Sequence, residues 1–286
     1  MEKNNPTVLL GIVTRNRADI LPKAIASAFS QRGCEVRVAV VNDGSTDDTA
    51  KIASQFPAVQ WVNRSPGRGY MAARNDWMES ATEDFFVSLD DDAWFLQGDE
   101  ISVALEAMAR NPRVGAVAFD ILSPDRPAPK PRAPHRPTAN FIGCGHVLRL
   151  AAVREIGCYA DTPGNYGGEE KDLCLRLMDA GYEVVLLPGV HVWHDKTPVA
   201  RQLPAQYRSL VCNDLVFTLR RTPAWLLPMA LAGKICQHWT FALKRKLMRP
   251  CGQGFGMFAR AFGGVWRSRR PVRYATLRAF MRLARS

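Results

Sequence analysis

Residues 85–92 are Phe85, Phe86, Val87, Ser88 and Leu89, followed by Asp90, Asp91 and Asp92. The apolar run reads as a buried strand, and it ends in three consecutive carboxylates. A buried strand cannot keep such a cluster inside, because unpaired carboxylates are costly to remove from water. The cluster therefore belongs at the C-terminal end of the strand, where open α/β sheets bind their ligands. Alternation puts Asp90 and Asp92 on one face and Asp91 on the other. Two carboxylates converging at a sheet edge suit a hard divalent cation such as Mg²⁺ or Mn²⁺. A bound metal in turn suggests a phosphate-bearing substrate. Three acids in isolation are more often a solvated turn, so the weight rests on what surrounds them.

Strand-type and helix-type segments alternate along the chain. Thr7–Thr14 is a buried strand, 20–30 a helix, 36–41 a strand, 47–55 a short helix, 59–63 a strand and 71–81 a helix. The strand at 85–89 is followed by a helix over Glu100–Arg110 and a strand over 114–120. Such β-α-β-α alternation predicts an α/β fold with a mainly parallel sheet and helices on both faces. Six prolines between Pro124 and Pro137 then exclude helix and central strand. The segment 123–140 is read as a loop over a site, with an interdomain linker as the alternative. A strand over 141–150, helices over 151–156 and 171–180, and a strand over 183–187 complete a globule ending near His194.

Asn42, Asp43, Gly44 and Ser45 follow a strand and open the short helix. Asp43 at a strand end suits a hydrogen bond from the N3–H of a uracil or thymine ring, and Gly44 lets the backbone approach a ligand. A tight turn with Asp47 as N-cap is the plainer reading of the same residues. His191 and His194, three apart on a strand, point to opposite faces. His194 at the strand end is the better metal ligand, and His191 reads as a buried structural residue. For His146 a strand position without a functional role is the safer reading, and His135 has no assignable one.

Taken together, these segments resemble family-2 glycosyltransferases of the GT-A fold, of the bacterial surface-glycan or rhamnosyltransferase-like kind. Residues 42–49 resemble the DDGSTDDT signature, with Asn42 where an Asp is usual. Gly11–Arg17 resembles the nucleotide-cradling end of the first strand, including Thr14, Arg15 and Asn16. Arg68–Asn75 resembles the helix start beside the diphosphate, with Gly69, Arg74 and Asn75. Asp90–Asp92 resembles the DxD motif, which implies Asp90 near the ribose or metal, Asp91 beside it and Asp92 as metal ligand. Residues 141–145, with Arg149 and Gly157, resemble the segment flooring the acceptor side. Gly167–Leu173 resembles the EDxDL motif, which puts the base at Glu170, with Glu169 beside it as the alternative. The usual residue there is Asp, and the extra methylene shifts the carboxylate by about 1.5 Å, an offset that matters for rate. Asp172 is read as an anchor at a helix N-terminus. Residues 191–194 resemble the strand that delivers His194 to the metal or diphosphate.

The resemblance implies an inverting, metal-dependent transfer from a UDP- or dTDP-sugar to a hydroxyl of a glycan or lipid-linked acceptor, with Mg²⁺ or Mn²⁺ as cofactor. Two rivals stand beside it. A nucleotidyltransferase would carry a glycine-rich loop after strand one, where this chain has Thr14-Arg15-Asn16-Arg17. A nucleotide-sugar-binding scaffold without turnover is made thinkable by Glu170.

Charge divides the chain. Of 38 Lys and Arg and 27 Asp and Glu, residues 196–286 hold 18 of the bases and one acid, Asp214. The net charge of +11 thus divides into −6 for 1–195 and +17 for 196–286. The expected organisation is a glycosyltransferase domain over 1–195 and a basic, aromatic-rich helical segment over 196–286. Trp225, Trp239, Trp266, Phe241, Phe255, Phe258 and Phe262 lie among the cations, a combination suited to anionic lipid headgroups. Nucleic acid is the weakest of the partners, as no nucleic-acid module is visible; a packed basic helix pair is the plainer alternative. Seven scattered cysteines with no CxxC pair point to a reducing compartment, and the polar opening through Pro6 predicts no secretory leader. The expected location is cytoplasmic, peripheral on the inner face of the cytoplasmic membrane.

Overall fold

The structure is a computed structural model that describes residues 6–196 and 203–285. The expectation of no leader rests mainly on residues 1–5, outside the described residues. The chain forms two compact units, Met1–Tyr159 with Ala180–Thr197, and Ala160–Asp179 with Pro198–Ser286. The expected boundary at 195 adjoins residues 197–202, outside the described residues. Residues 160–179, assigned by linear reading to the first unit, group with the C-terminal helices.

The first unit contains strands β1 (Thr7–Thr14), β2 (Glu35–Asp43), β3 (Gln60–Arg64), β4 (Phe85–Asp90), β5 (Ala93–Phe95), β6 (Val114–Leu122), β7 (Arg136–Pro137), β8 (Gly145–Arg149) and β9 (Glu183–His194). Its helices are α1 (Leu21–Phe29), α2 (Tyr70–Ser80), α3 (Glu100–Arg110) and α4 (Leu150–Glu155). The strands form one sheet in the order β3-β2-β1-β4-β8-β6-β9-β5, with β7 pairing β9. The long pairings, β3-β2, β2-β1, β1-β4 and β6-β9, are parallel, and the short ones involving β5, β7 and β8 are antiparallel. The expected mainly parallel α/β sheet is present.

Both faces of β1 are covered, which is why its sequence is continuously apolar rather than alternating. Val8, Leu10 and Ile12 share a core with Leu21 and Ile25 of α1 and with Ile101, Leu105 and Met108 of α3. Gly11 faces the other way, toward α2. A Cβ there would lie 2.5 Å from the Trp77 ring and 2.9 Å from Phe86. The missing side chain thus lets α2 lie close to the sheet. Gly11→Ala is expected to destabilise the protein by about 1–3 kcal/mol, the usual cost of overpacking. Urea unfolding measures it, and an unchanged midpoint would show that α2 yields freely.

Four local expectations change. The helix at 47–55 is a 3₁₀ segment over Asp48–Gln55, although Asp47 caps it as expected, accepting from the Thr49 N–H at 3.0 Å. The strand expected over 141–150 is confined to β8. The separate segments 183–187 and 191–194 are one strand, β9, whose pairing with β6 jumps from Leu187 to His191. The proline-rich segment is laid along β9: Arg136 and Pro137 pair with it, and the Thr138 N–H donates to Val184 O at 2.9 Å. It contributes an outer strand of the sheet, a position that proline tolerates. β5 has no expectation behind it, because three residues are too short for a periodic signal.

The second unit comprises α5 (Glu169–Asp179), α6 (Leu203–Arg221), α7 (Leu227–Arg245), α8 (Met248–Arg267) and α9 (Tyr274–Leu283). Its core is built on α6, whose Val211 and Leu215 pack with Ala242 and Cys251. Cys212, Val216 and Leu219 pack with Leu227 and Val265. Trp225, Met229, Trp239, Leu243, Phe262 and Trp266 remain exposed. Among the described residues no helix is long and apolar enough to cross a membrane.

Candidate active site

Parallel pairing brings three strand ends to one edge of the sheet. Thr14 lies opposite Asn42, and Val13 lies between Val41 and Asp90. The acids that close β4 therefore sit beside the residues that follow β1 and β2. This is the placement expected for a cluster that a buried strand cannot hold.

Asp90, Asp92 and His194 each offer a ligand atom, and these atoms lie within 4.8 Å of one another. His194 reaches Asp92 because β9 runs antiparallel to β5, with His194 opposite Ala93. Its Nε2 is 3.2 Å from Asp92 Oδ1. Ligands at about 2.1 Å from an octahedral metal are roughly 3 Å apart along an edge, so the spacing fits a small dication. Two carboxylates and an imidazole suit Mn²⁺ better than Mg²⁺, which takes oxygen almost exclusively. Asp92 is buried, and the Asp195 N–H donates to its carbonyl at 2.9 Å. Burial pushes Asp91 up to about 7, against the nearby charge of Arg17.

Two arginines face this cluster. Arg74, buried on α2, holds Asp90 Oδ1 at 2.7 Å and the Gly143 carbonyl at 3.2 Å. Arg17 Nη1 lies 3.8 Å from Asp92 Oδ2. Arg74 belongs to the Arg68–Asn75 segment singled out in the sequence, whereas sequence reasoning missed Arg17. It is the last residue of the Gly11–Arg17 segment, and its role emerges only when the strand ends meet.

Asp43 organises the next turn. Its two oxygens accept from the N–H groups of Arg68, at 2.8 Å, and Gly69, at 2.7 Å. Gly67 approaches so closely that a Cβ would lie 2.4 Å from Asp43 O. Gly69, at φ +87°, precedes α2 and turns the chain into it. The departure at Asn42 has a local reason. Its Nδ2 donates to Asn63 Oδ1 at 2.8 Å across the β2-β3 pairing, a bond an aspartate could not donate.

Asn16, at φ +55°, binds the turn after β2: its N–H donates to Ser45 Oγ at 2.9 Å, and its Oδ1 accepts from the Thr46 N–H at 2.7 Å. Thr14 is buried at the end of β1, and Arg15 is exposed next to it. Asn75 is engaged with backbone, donating to Tyr159 O at 2.9 Å and accepting from its N–H at 3.0 Å. His191 is buried, and its Nε2 accepts from the Lys130 N–H at 3.1 Å, a structural role. His146 is buried against Phe141, with Tyr159 Oη 3.1 Å from Nε2, and burial holds its pKa well below the usual histidine range.

Glu169 and Glu170 open α5 in the second unit, Glu169 buried and Glu170 partly so. Asp172 is an anchor, as expected, but through side chains. Arg221 holds both of its oxygens, at 2.6 and 3.0 Å, and Arg176 joins at 2.7 Å. These cations keep Asp172 below the usual carboxylate range in spite of burial.

The model of glycosyl transferase family 2 matches residues 10–160, just over half of the chain. A pre-mycofactocin glycosyltransferase of Mycobacterium tuberculosis is 27% identical over 286 aligned residues, covering 93% of this chain and 57% of that protein. A poly-beta-1,6-N-acetyl-D-glucosamine synthase of Staphylococcus epidermidis is 25% identical over 146 residues, 50% of this chain and 32% of that one. The chain thus spans little more than half the length of the first of these relatives and about a third of the second. Among solved structures, S. aureus TarS 1-349 in complex with UDP-GlcNAc superposes with a TM-score of 0.64 at 16% identity, over 89% of this chain and 81% of that one. The mannosyltransferase PcManGT from Pyrobaculum calidifontis, in complex with GDP-Man and Mn²⁺, gives 0.60 at 18% identity, over 91% and 76%. At such identities the likeness shows a shared fold, the GT-A fold.

Proposed function

The chain belongs to glycosyl transferase family 2, and on that premise we propose an inverting, metal-dependent glycosyltransferase that moves a sugar from a UDP- or dTDP-sugar to a hydroxyl of a glycan or lipid-linked acceptor. The observation that carries this reading is the convergence of Asp90, Asp92 and His194 at the strand ends. The Mn²⁺ and nucleotide-sugars bound by the structural neighbours support it.

Asp92 and His194, with Asp90, would hold the metal. When bound, a dication neutralises charge on the leaving diphosphate. Thr14, Arg15, Asn16, Asp43, Gly69, Arg74 and Asn75, with Asp90 and Asp91, are assigned to the nucleotide half of the donor. Each Asp43 oxygen that accepts a backbone N–H retains a second lone pair, available to a pyrimidine N3–H. Arg74 and the start of α2 supply positive potential for phosphate. The acceptor hydroxyl attacks the anomeric carbon opposite the departing nucleoside diphosphate, which inverts that carbon, and Glu170 takes the hydroxyl proton. Glu169 is the neighbour against which this assignment is tested.

Residues 1–195 are proposed as the transferase domain and 196–286 as a membrane-proximal segment, on the inner face of the cytoplasmic membrane. The +17 charge and the exposed tryptophans support this. Each basic residue near an anionic surface contributes about 1 kcal/mol. The full chain is expected to sediment with anionic vesicles at low salt and to be partly released at high salt. Trp225→Ser with Trp239→Ser and Trp266→Ser should weaken the salt-resistant part; equal partitioning of both proteins would remove the tryptophans from the contact, and a full chain that stays in buffer at low salt would remove the membrane surface as partner.

Donor class is tested by thermal shift with a panel of UDP-, dTDP- and GDP-sugars, with and without Mn²⁺. A donor at 100 times its Kd should add about 2.7 kcal/mol of stability. A Mn²⁺-dependent shift with a pyrimidine donor is expected. Absence of any shift would overturn the donor assignment, and binding without sugar transfer would favour the scaffold.

A further inference from the structure

Resting on the transfer reading above, we propose that Asn213 of α6 is a positioning residue for the carboxylate base at Glu170 or Glu169, which makes α6 part of the catalytic apparatus. The juxtaposition lies within the second unit. Asn213 is buried, and its amide is spent on the loop that leads into α5. Its Oδ1 accepts from the Gly164 N–H at 2.9 Å. Its Nδ2 donates to the carbonyls of Gly164 at 3.0 Å, Gly167 at 2.9 Å and Tyr166 at 3.2 Å. The loop closes on α6 because Gly164 has no side chain: a Cβ would lie 2.7 Å from Asn213 Oδ1 and 2.9 Å from Ser209. Gly167 and Gly168 then turn at φ +83° and +97°, a region that other residues rarely enter.

The two glutamates follow at once and are clamped again on their far side. Lys171 pairs with Asp214, the acid next to Asn213, and Asp172 is held on both oxygens by Arg221. Asp214 also meets Lys234 at 3.0 Å and His238 at 3.1 Å on α7, and it sits well below the usual carboxylate range despite burial. The backbone that presents Glu169 and Glu170 is thus fixed before by Asn213 and after by Asp214 and Arg221, all three on α6. The only acid of the basic segment, which looks out of place in composition, completes this clamp.

Asn213→Asp keeps size and an acceptor oxygen but replaces the donating amide with an oxygen facing three carbonyls. It is expected to lower kcat roughly a hundredfold, the cost of about 1 Å of misplacement. Donor KM should stay within about twofold, because the base does not hold the donor. In the Glu170→Gln or Glu169→Gln background, whichever removes the base, the same change should add no further loss, since it acts through a group already gone. Amide hydrogen exchange should rise in residues 164–172 and remain unchanged in the first unit. Asn213→Ser, which cannot bridge the loop but adds no charge, is expected to behave likewise with less effect on folding. Multiplying losses, a raised donor KM with unchanged kcat, or unaltered exchange at 164–172 would each overturn the proposal while wild-type turnover stands. A wild-type chain that turns over no donor would overturn the transfer reading and this one with it.

Discussion

Asp92→Asn should abolish Mn²⁺-dependent donor binding and lower kcat/KM by at least about a hundredfold, since a metal's charge stabilisation at a leaving group is worth several kcal/mol. Asp92 is the buried member of the cluster and lies between His194 at 3.2 Å and Arg17 at 3.8 Å. The neutral amide preserves size but loses the charge that a dication needs. It also removes the carboxylate 3.8 Å from Arg17, so a modest fall in thermal stability should accompany the loss. Calorimetric titration of UDP and dTDP with and without Mn²⁺ reads the effect directly. An affinity that keeps its Mn²⁺ dependence in Asp92→Asn would remove this residue from the metal site.

Glu170→Gln should lower kcat by about 10²–10⁴-fold, the range for a general base, with donor KM nearly unchanged. A base acts on the acceptor hydroxyl in the transition state, so ground-state donor binding is spared. Glu169→Gln is the control. Glu169 is the more buried of the pair, so its substitution is expected to cost stability more than rate. Steady-state kinetics with thermal unfolding on the same preparations separate the two. The opposite pattern, a rate loss at Glu169 and none at Glu170, would shift the base by one position.

Much of this arrangement is legible in the sequence. β1, β4 and α3 are short-range facts: continuous apolar runs, three acids that no interior accepts, and helical spacing over Glu100–Arg110. Asp47 as a cap and His191 as a buried structural residue followed from position alone. The proline-rich segment was legible in what it could not be, and less so in where it went. Its course along β9 depends on a pairing about fifty residues away in sequence, which local composition does not encode. Asn75 shows the same limit. Its segment resembles the helix start beside the diphosphate, but that its amide also ties α2 to the backbone of Tyr159, far along the chain, is decided by tertiary packing.

By itself the sequence determined the class of fold, the edge of the sheet at which chemistry gathers and the residue types gathered there. Those follow from the hydrophobic period and from the cost of burying charge, both of which act within a few residues. Only the tertiary structure decided that His194 meets Asp92, through the antiparallel register of β5 and β9. Only it brought Arg17 to the acids and closed the loop before Glu169 onto α6. These contacts join segments dozens to about a hundred residues apart. Their partners are selected by strand register and helix packing, and no local pattern in the chain carries that information.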